Sequence, residues 1–126
     1  MTGLGILLAH LVGDYVLQSD WMAQQKTRYW WPAIAHGLTY TVPYLFVTQS
    51  VLALAAIGGT HIVIDRYRLA RHVVWLKNQM APAAFRPGHT ATGYAETSKA
   101  WLAVWLLILA DNTIHLLINT AAVSWL

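Results

Sequence analysis

At 126 residues the chain suffices for one domain, and hydrophobic types make up 57% of it against only 10% charged types. An ordinary soluble domain carries roughly 25% charged residues, so eight Lys/Arg and five Asp/Glu are too few to solvate such a surface. A formal charge of +3 is too small and too scattered for a nucleic-acid partner and fits anionic lipid better, and the absence of cysteine excludes disulfides and thiolate metal sites.

The composition predicts an all-α fold: an integral membrane helix bundle with about four transmembrane helices in one membrane-embedded domain. The first stretch begins near Gly3 and extends to about Met22, with His10 and Asp14 inside it. Its start, Met-Thr-Gly-Leu-Gly-Ile, lacks the basic region of a cleavable signal, so the segment is expected to be retained. Ser19–Tyr29 holds Asp20, Lys26 and Arg28 and reads as a connection or an interfacial helix. A second span covers about 31–47, with His36 and a kink expected at Pro43. Thr48-Gln49-Ser50 reads as a tight turn. The third span, about 51–76, is apolar to Ile64 and then basic through Arg66, Arg68, Arg71 and Lys77, so its end is expected among lipid headgroups. Residues 78–98 form a cytoplasmic loop containing Pro82, Pro87, Gly88 and Gly93, and the last span covers about 99–125. Each span is near the ~20 residues that cross ~30 Å of hydrocarbon. Gly3/Gly5 and Gly58/Gly59 are expected to allow close helix packing.

Lys and Arg fall in the first and third connections, and the second connection and both termini have none. By the positive-inside rule both termini face outward in a multi-pass membrane protein. Trp21, Trp30, Trp31, Trp75 and Trp101 fall at the same basic interface, where indole rings are favoured.

Three of these helices repeat one spacing: His10-x-x-x-Asp14, His61-x-x-x-Asp65 and Asp111-x-x-x-His115. Residues four apart share a helix face. Gln18 and His72 extend two of the stripes, and helix two adds His36. Helical rise places these groups at overlapping depths, between the midplane and the cytoplasmic third of a ~30 Å core. A carboxylate facing lipid costs at least ~2.5–3.5 kcal/mol, so three aspartates are expected to turn inward and meet.

Imidazole with carboxylate and no sulfur suits Zn, Mn, Fe or Ni. The candidate ligands are His10, Asp14, His36, His61, Asp65, Asp111 and His115. A metal-bound water ionising near neutral pH would be a nucleophile, which points to a metal-dependent hydrolase of a lipid-linked or phosphate-containing substrate. The alternatives are a hydrogen-bonded network joining the helices or a proton or ion-conducting element. Arg66, Arg68 and Arg71 could hold a phosphate headgroup, although setting topology is the simpler role. His89 and Glu96 belong to a solvated loop or to a lid. The partners expected are the bilayer and a lipid or phosphate-containing substrate, with a homo-oligomer allowed.

The run His10-Leu-Val-Gly-Asp-Tyr-Val-Leu-Gln-Ser-Asp-Trp-Met, followed by Lys26, resembles the opening of a family of small bacterial and phage membrane proteins catalogued as domain of unknown function 3307. That family's pattern adds a His in the second helix (His36), His-x-x-x-Asp in the third (His61, Asp65) and Asp-Gln-x-x-His in the last. The last reads Asp111-Asn112-Thr113-Ile114-His115, with Asn for Gln. The resemblance covers most of the chain outside residues 78–98 and implies a multi-span fold in the bacterial inner membrane without an established activity, with a phage-encoded modulator of the host membrane as a further alternative. In style the pattern is also similar to membrane-bound metal-dependent hydrolases, which is analogy alone.

Overall fold

A computed structural model describes residues 2–126, and among them the regular structure is entirely helical. The helices are α1 (Thr2–Leu11), α2 (Asp20–Gln25), α3 (Trp30–Thr41), α4 (Val51–Tyr67), α5 (Leu69–Asn78) and α6 (Ala100–Trp125). Contacts gather them into two units. One holds residues 1–67 and 115–126, and the other holds residues 68–114.

Among the described residues one helix, α6, is both long and apolar enough to cross a membrane. The other three expected spans are interrupted. The first leaves α geometry at Val12–Val16, a π-helical segment in which the Leu17 N–H donates to the Val12 carbonyl at 2.9 Å. Helix α2 then restarts behind Ser19, whose Oγ accepts from the Met22 N–H at 3.3 Å. Such an N-cap satisfies one of the orphan donors of a new helix. The second span tightens into a 3₁₀ segment, Val42–Phe46, at Pro43, where the missing N–H removes a rung of the α ladder. The third is divided by Arg68 in the left-handed conformation (φ 51°). That conformation is costly for a non-glycine residue and ends an α-helix locally.

The expected turn forms: Ser50 N–H donates to Thr48 Oγ1, and Ser50 Oγ accepts from the Ala53 N–H at the start of α4. In the second unit, residues 79–99 contain one short 3₁₀ segment, Ala83–Phe85, and no longer helix.

Close packing in the first unit depends on glycines that the pattern identified only in part. A Cβ at Gly58 would lie 2.6 Å from Thr41 Oγ1, and one at Gly37 would overlap the Ile62 side chain, so α3 and α4 touch almost backbone to backbone. Gly59 and Gly3 meet nothing within 4 Å, which corrects their expected packing role. Gly37→Val and Gly58→Val are therefore expected to lower stability by about 1–3 kcal/mol each, the usual cost of overpacking. Gly59→Ala should leave stability unchanged or slightly raise it, since alanine is the better helix former. Thermal melts of the three variants check this contrast.

The apolar core of the first unit is Ile6, Ala9, Tyr40, Tyr44, Ile57 and Ala122. Beside it lies a set of polar side chains that is equally buried: His10, Asp14, His36, His61, Asp65, His115 and Asn119.

Candidate metal centre

Four side chains from three elements converge. Asp14 comes from the π-helical segment, His36 from α3, and His61 and Asp65 from successive turns of α4. His36 and His61 are fully buried, and the two aspartates are 7% exposed. One ligand atom from each of the four lies within 4.8 Å of the others.

The edges of this group are short. His36 Nε2 is 2.9 Å from His61 Nε2, 3.1 Å from Asp14 Oδ1 and 3.3 Å from Asp65 Oδ2. His61 Nε2 is 3.5 Å from Asp14 Oδ1 and 3.2 Å from Asp65 Oδ2. A tetrahedral ion with metal–ligand bonds of about 2.0–2.2 Å sets its ligand atoms roughly 3.3–3.6 Å apart, by the geometry of a tetrahedron. The five separations are close to the ligand–ligand distances that such an ion sets, and all four residues lie within reach of one cation.

Proton counting gives the same answer. His115 Nε2 lies 3.2 Å from Asp65 Oδ1, a carboxylate oxygen that can only accept, so this nitrogen carries the proton. A neutral His115 then offers a lone pair at Nδ1, which is 3.3 Å from His61 Nδ1. That contact needs His61 to donate from Nδ1, leaving a lone pair on His61 Nε2. With neutral imidazoles, His36 can contribute at most one proton to the five contacts just given. Even with that proton on His36 Nε2, both contacts of His61 Nε2 with the carboxylates are acceptor against acceptor, an arrangement that a cation at the centre stabilises. The His115–His61 relay also supplies what metal-ligating imidazoles usually have, a partner on the far ring nitrogen. His36 departs from that pattern, because its Nδ1 is buried with no hydrogen-bond partner.

The local sequence explains how Asp14 arrives. Gly13 sits where a Cβ would come within 2.9 Å of the Tyr40 carbonyl, so the first segment can lie directly against α3. The π turn adds a residue to the helical circuit and re-aims the side chains that follow, as such bulges often do at functional sites. Gln18 Nε2 then donates to the Asp14 carbonyl at 3.0 Å, one turn on, rather than to the carboxylate.

Around the four stands a second ring. His10 Nε2 is 3.7 Å from Asp14 Oδ2, and its Nδ1 is 2.7 Å from the Tyr40 hydroxyl. Tyr40 stacks on the His61 ring, with centroids 3.6 Å apart and planes 12° from parallel, which fixes the imidazole's orientation. Asn119 Nδ2 donates to both Tyr40 and Tyr44 hydroxyls, at 2.6 and 2.7 Å. Lys26 reaches in from beyond α2 and donates to Asp65 Oδ2 at 2.6 Å.

Of the seven residues expected as ligands, Asp14, His36, His61 and Asp65 form the convergent set, while His10 and His115 stand one contact further out. Asp111 lies on the α6 portion of the second unit, one turn before His115 in sequence. Tyr40, Asn119 and Lys26 were not expected as members. The signal for Tyr40 and Asn119 was present in the spacings His36-x-x-x-Tyr40-x-x-x-Tyr44 and His115-x-x-x-Asn119, which place each on the face of a histidine already singled out, whereas Lys26 shares no such spacing.

Two of the arginines proposed for a headgroup phosphate give part of their N–H groups to backbone carbonyls. Arg66 donates to the Thr27 and Arg28 carbonyls at 2.6 and 3.2 Å, and Arg68 to the Ala91 carbonyl at 3.2 Å. In the second unit His89 and Glu96 approach to 3.6 Å on the exposed loop.

A family model described as Protein of unknown function (DUF3307) matches residues 4–124. No curated protein matches the chain, and no solved structure does.

Proposed function

Because the chain belongs to the DUF3307 family, whose description assigns no activity, we propose from geometry alone that it is a bilayer-embedded protein holding one divalent cation between Asp14, His36, His61 and Asp65. The observation that carries this reading is the convergence of four buried lone-pair donors within 4.8 Å of one another. Nitrogen and carboxylate ligands without sulfur favour Zn, Mn or Fe.

The bilayer setting is supported by an inverted distribution of polarity in the first unit. Six ionisable side chains are buried there, while Phe46 is 93% exposed, Val51 80% and Val16 72%. In water such a surface would be a large apolar patch. In lipid it is the low-energy arrangement, with intramembrane ionisable groups facing inward. A multi-pass placement in the inner membrane, with both termini outside, follows from the Lys/Arg distribution in the sequence.

The activity proposed is hydrolysis of a lipid-linked or phosphate-containing substrate. A bound divalent ion would supply Lewis acidity and lower the pH at which water ionises. The chain's own residues hold that centre: His115 and Tyr40 orient His61, His10 stands beside Asp14, and Lys26 sits at Asp65. Lys26, 18% exposed, runs from the surface to the cluster, so its side chain marks the approach.

A second reading, proton or ion conduction without hydrolysis, is favoured by one observation. The polar chain continues past the cluster, from His10 to the Tyr40 hydroxyl, on to Tyr44 at 3.3 Å and then to the Ile6 carbonyl at 3.3 Å.

Metal binding by the folded state must stabilise it, by about 2.7 kcal/mol at a hundredfold excess over the dissociation constant. Purified protein titrated with Zn²⁺ or Mn²⁺ is expected to melt several degrees higher and to carry one equivalent of metal by elemental analysis. Protein that binds no metal and gains no stability would end the metal reading and leave a hydrogen-bonded His–Asp network.

A further inference from the structure

Helix α5, in the second unit, has two apolar faces and only one is covered. Val74, 1% exposed, lies against Gly93 of the segment Ala91–Tyr94, and Ala70, one turn earlier, is 3% exposed. That segment is held down at three points. Gly93, at φ +80°, lies where a Cβ would be 2.6 Å from the Trp75 nitrogen and 2.7 Å from the Arg71 carbonyl. Asn78 Nδ2 donates to the Gly93 carbonyl at 2.8 Å, and Lys77 Nζ donates to the Tyr94 hydroxyl at 3.2 Å.

The opposite face carries Leu69, Val73 and Leu76, which are 38%, 54% and 65% exposed. At 100° per residue these three fall within an arc of about 60°. Exposed Lys77 borders the stripe on one side and exposed His72 on the other. Just beyond the helix, Met80 is 86% and Phe85 64% exposed. The charges here have one sign. Residues 68–99 hold Arg68, Arg71, Lys77, Arg86 and Lys99 against a single acidic residue, Glu96.

We propose that α5 lies along the surface of an anionic bilayer, with Leu69, Val73 and Leu76 at the acyl boundary and Arg68, Lys77 and Arg86 against lipid phosphates. An apolar stripe flanked by cations is the arrangement that binds in the plane of such an interface, and long basic side chains reach the phosphates while their stems stay apolar. Ten residues at 1.5 Å each give about 15 Å, half of the hydrocarbon thickness, so this helix is too short to span. The charge complementarity selects anionic lipid as the occupant over a second copy of this chain, whose α5 region would carry the same positive charge. The inference rests on the bilayer setting proposed above and is independent of the metal centre.

The chain has no cysteine, so single labels can be placed in the full-length protein. Val73→Cys, Leu76→Cys and Leu109→Cys, the last on α6, would each carry an environment-sensitive fluorophore in vesicles containing phosphatidylglycerol. Nitroxide-labelled lipids would quench from the glycerol level or from the chain end. Positions 73 and 76 are expected to be quenched about twofold more by the shallow probe than by the deep one, as for a helix in the interface. Position 109 should show the reverse. The shallow quenching should weaken in pure phosphatidylcholine and in the triple variant Arg68→Gln/Lys77→Gln/Arg86→Gln. If 73 and 76 are unquenched while 109 is quenched, the interfacial placement is wrong and the bilayer setting survives. If none is quenched, both fail. Shielding of 73 and 76 that disappears as the protein is diluted into lipid would assign the stripe to a second copy and overturn the proposal.

Discussion

Asp65→Asn is expected to weaken divalent-cation binding by roughly 100-fold or more, because loss of a direct ligand charge should exceed the 10–100-fold cost of losing an outer-shell partner. Asp65 is the hub of the centre. Its Oδ2 faces His36 and His61 at 3.3 and 3.2 Å, and its Oδ1 faces His115 at 3.2 Å. Asparagine keeps the shape and one acceptor oxygen but removes the charge that offsets a divalent ion. The fold should survive, at a cost of about 1 kcal/mol, since an amide oxygen still accepts from His115 or Lys26. Asp14→Asn should behave alike. The double variant should lose little more affinity than either single, because residues serving one ion are not independent. Metal content and melting temperature measured on the same samples separate the two properties. Equal metal content in wild type and Asp65→Asn, with only the melting temperature lowered, would reduce the cluster to a structural network.

Lys26→Met should have the opposite sign and tighten metal binding, by about tenfold or more. The Lys26 ammonium lies 2.6 Å from Asp65 Oδ2, the same oxygen that faces His36 and His61. An ion entering there must share or displace that contact, and two unit charges about 4 Å apart interact by about 4 kcal/mol at an effective dielectric constant of 20. Recovering even 1.4 kcal/mol of this corresponds to a tenfold gain in affinity. Methionine keeps most of the apolar stem, so packing changes little. Titration with Co²⁺, followed by its ligand-field absorption, would report affinity and coordination geometry together. Unchanged or weaker binding in Lys26→Met would show that the lysine does not oppose the ion, and would move it from competitor to positioning residue.

Legibility in the sequence followed physical range. The His and Asp stripes were readable because four-residue spacing places side chains on one face whatever the helix packs against. Their meeting was readable from rise per residue together with the cost of a lipid-facing carboxylate. Of the seven residues those arguments joined, the structure brings Asp14, His36, His61 and Asp65 together, although His36 stood alone on its helix. Glycine packing was readable at Gly58 and misassigned at Gly59, because adjacent glycines point to different faces and only the neighbouring helix decides which is covered. The break at Arg68 left no sign: no glycine or proline stands there, and a left-handed arginine is set by its surroundings.

By itself, then, the sequence determined the helical class, the length of α6, the absence of sulfur ligands and the identity of the groups able to hold a cation. Each follows from composition or from spacing along one chain segment, which tertiary contacts do not alter. Tertiary structure alone decided that the first segment becomes π-helical at Asp14, that Lys26 reaches back to Asp65, and that Tyr40 stacks on His61 with Asn119 behind it. It also decided which ring nitrogens carry protons, because a tautomer follows the partner on the far side of the ring. Lys26 and Asp65 are separated by 39 positions, and His61 and His115 by 54. Over such separations local pattern carries no distance information, and only the packing of helices against one another sets which atoms meet.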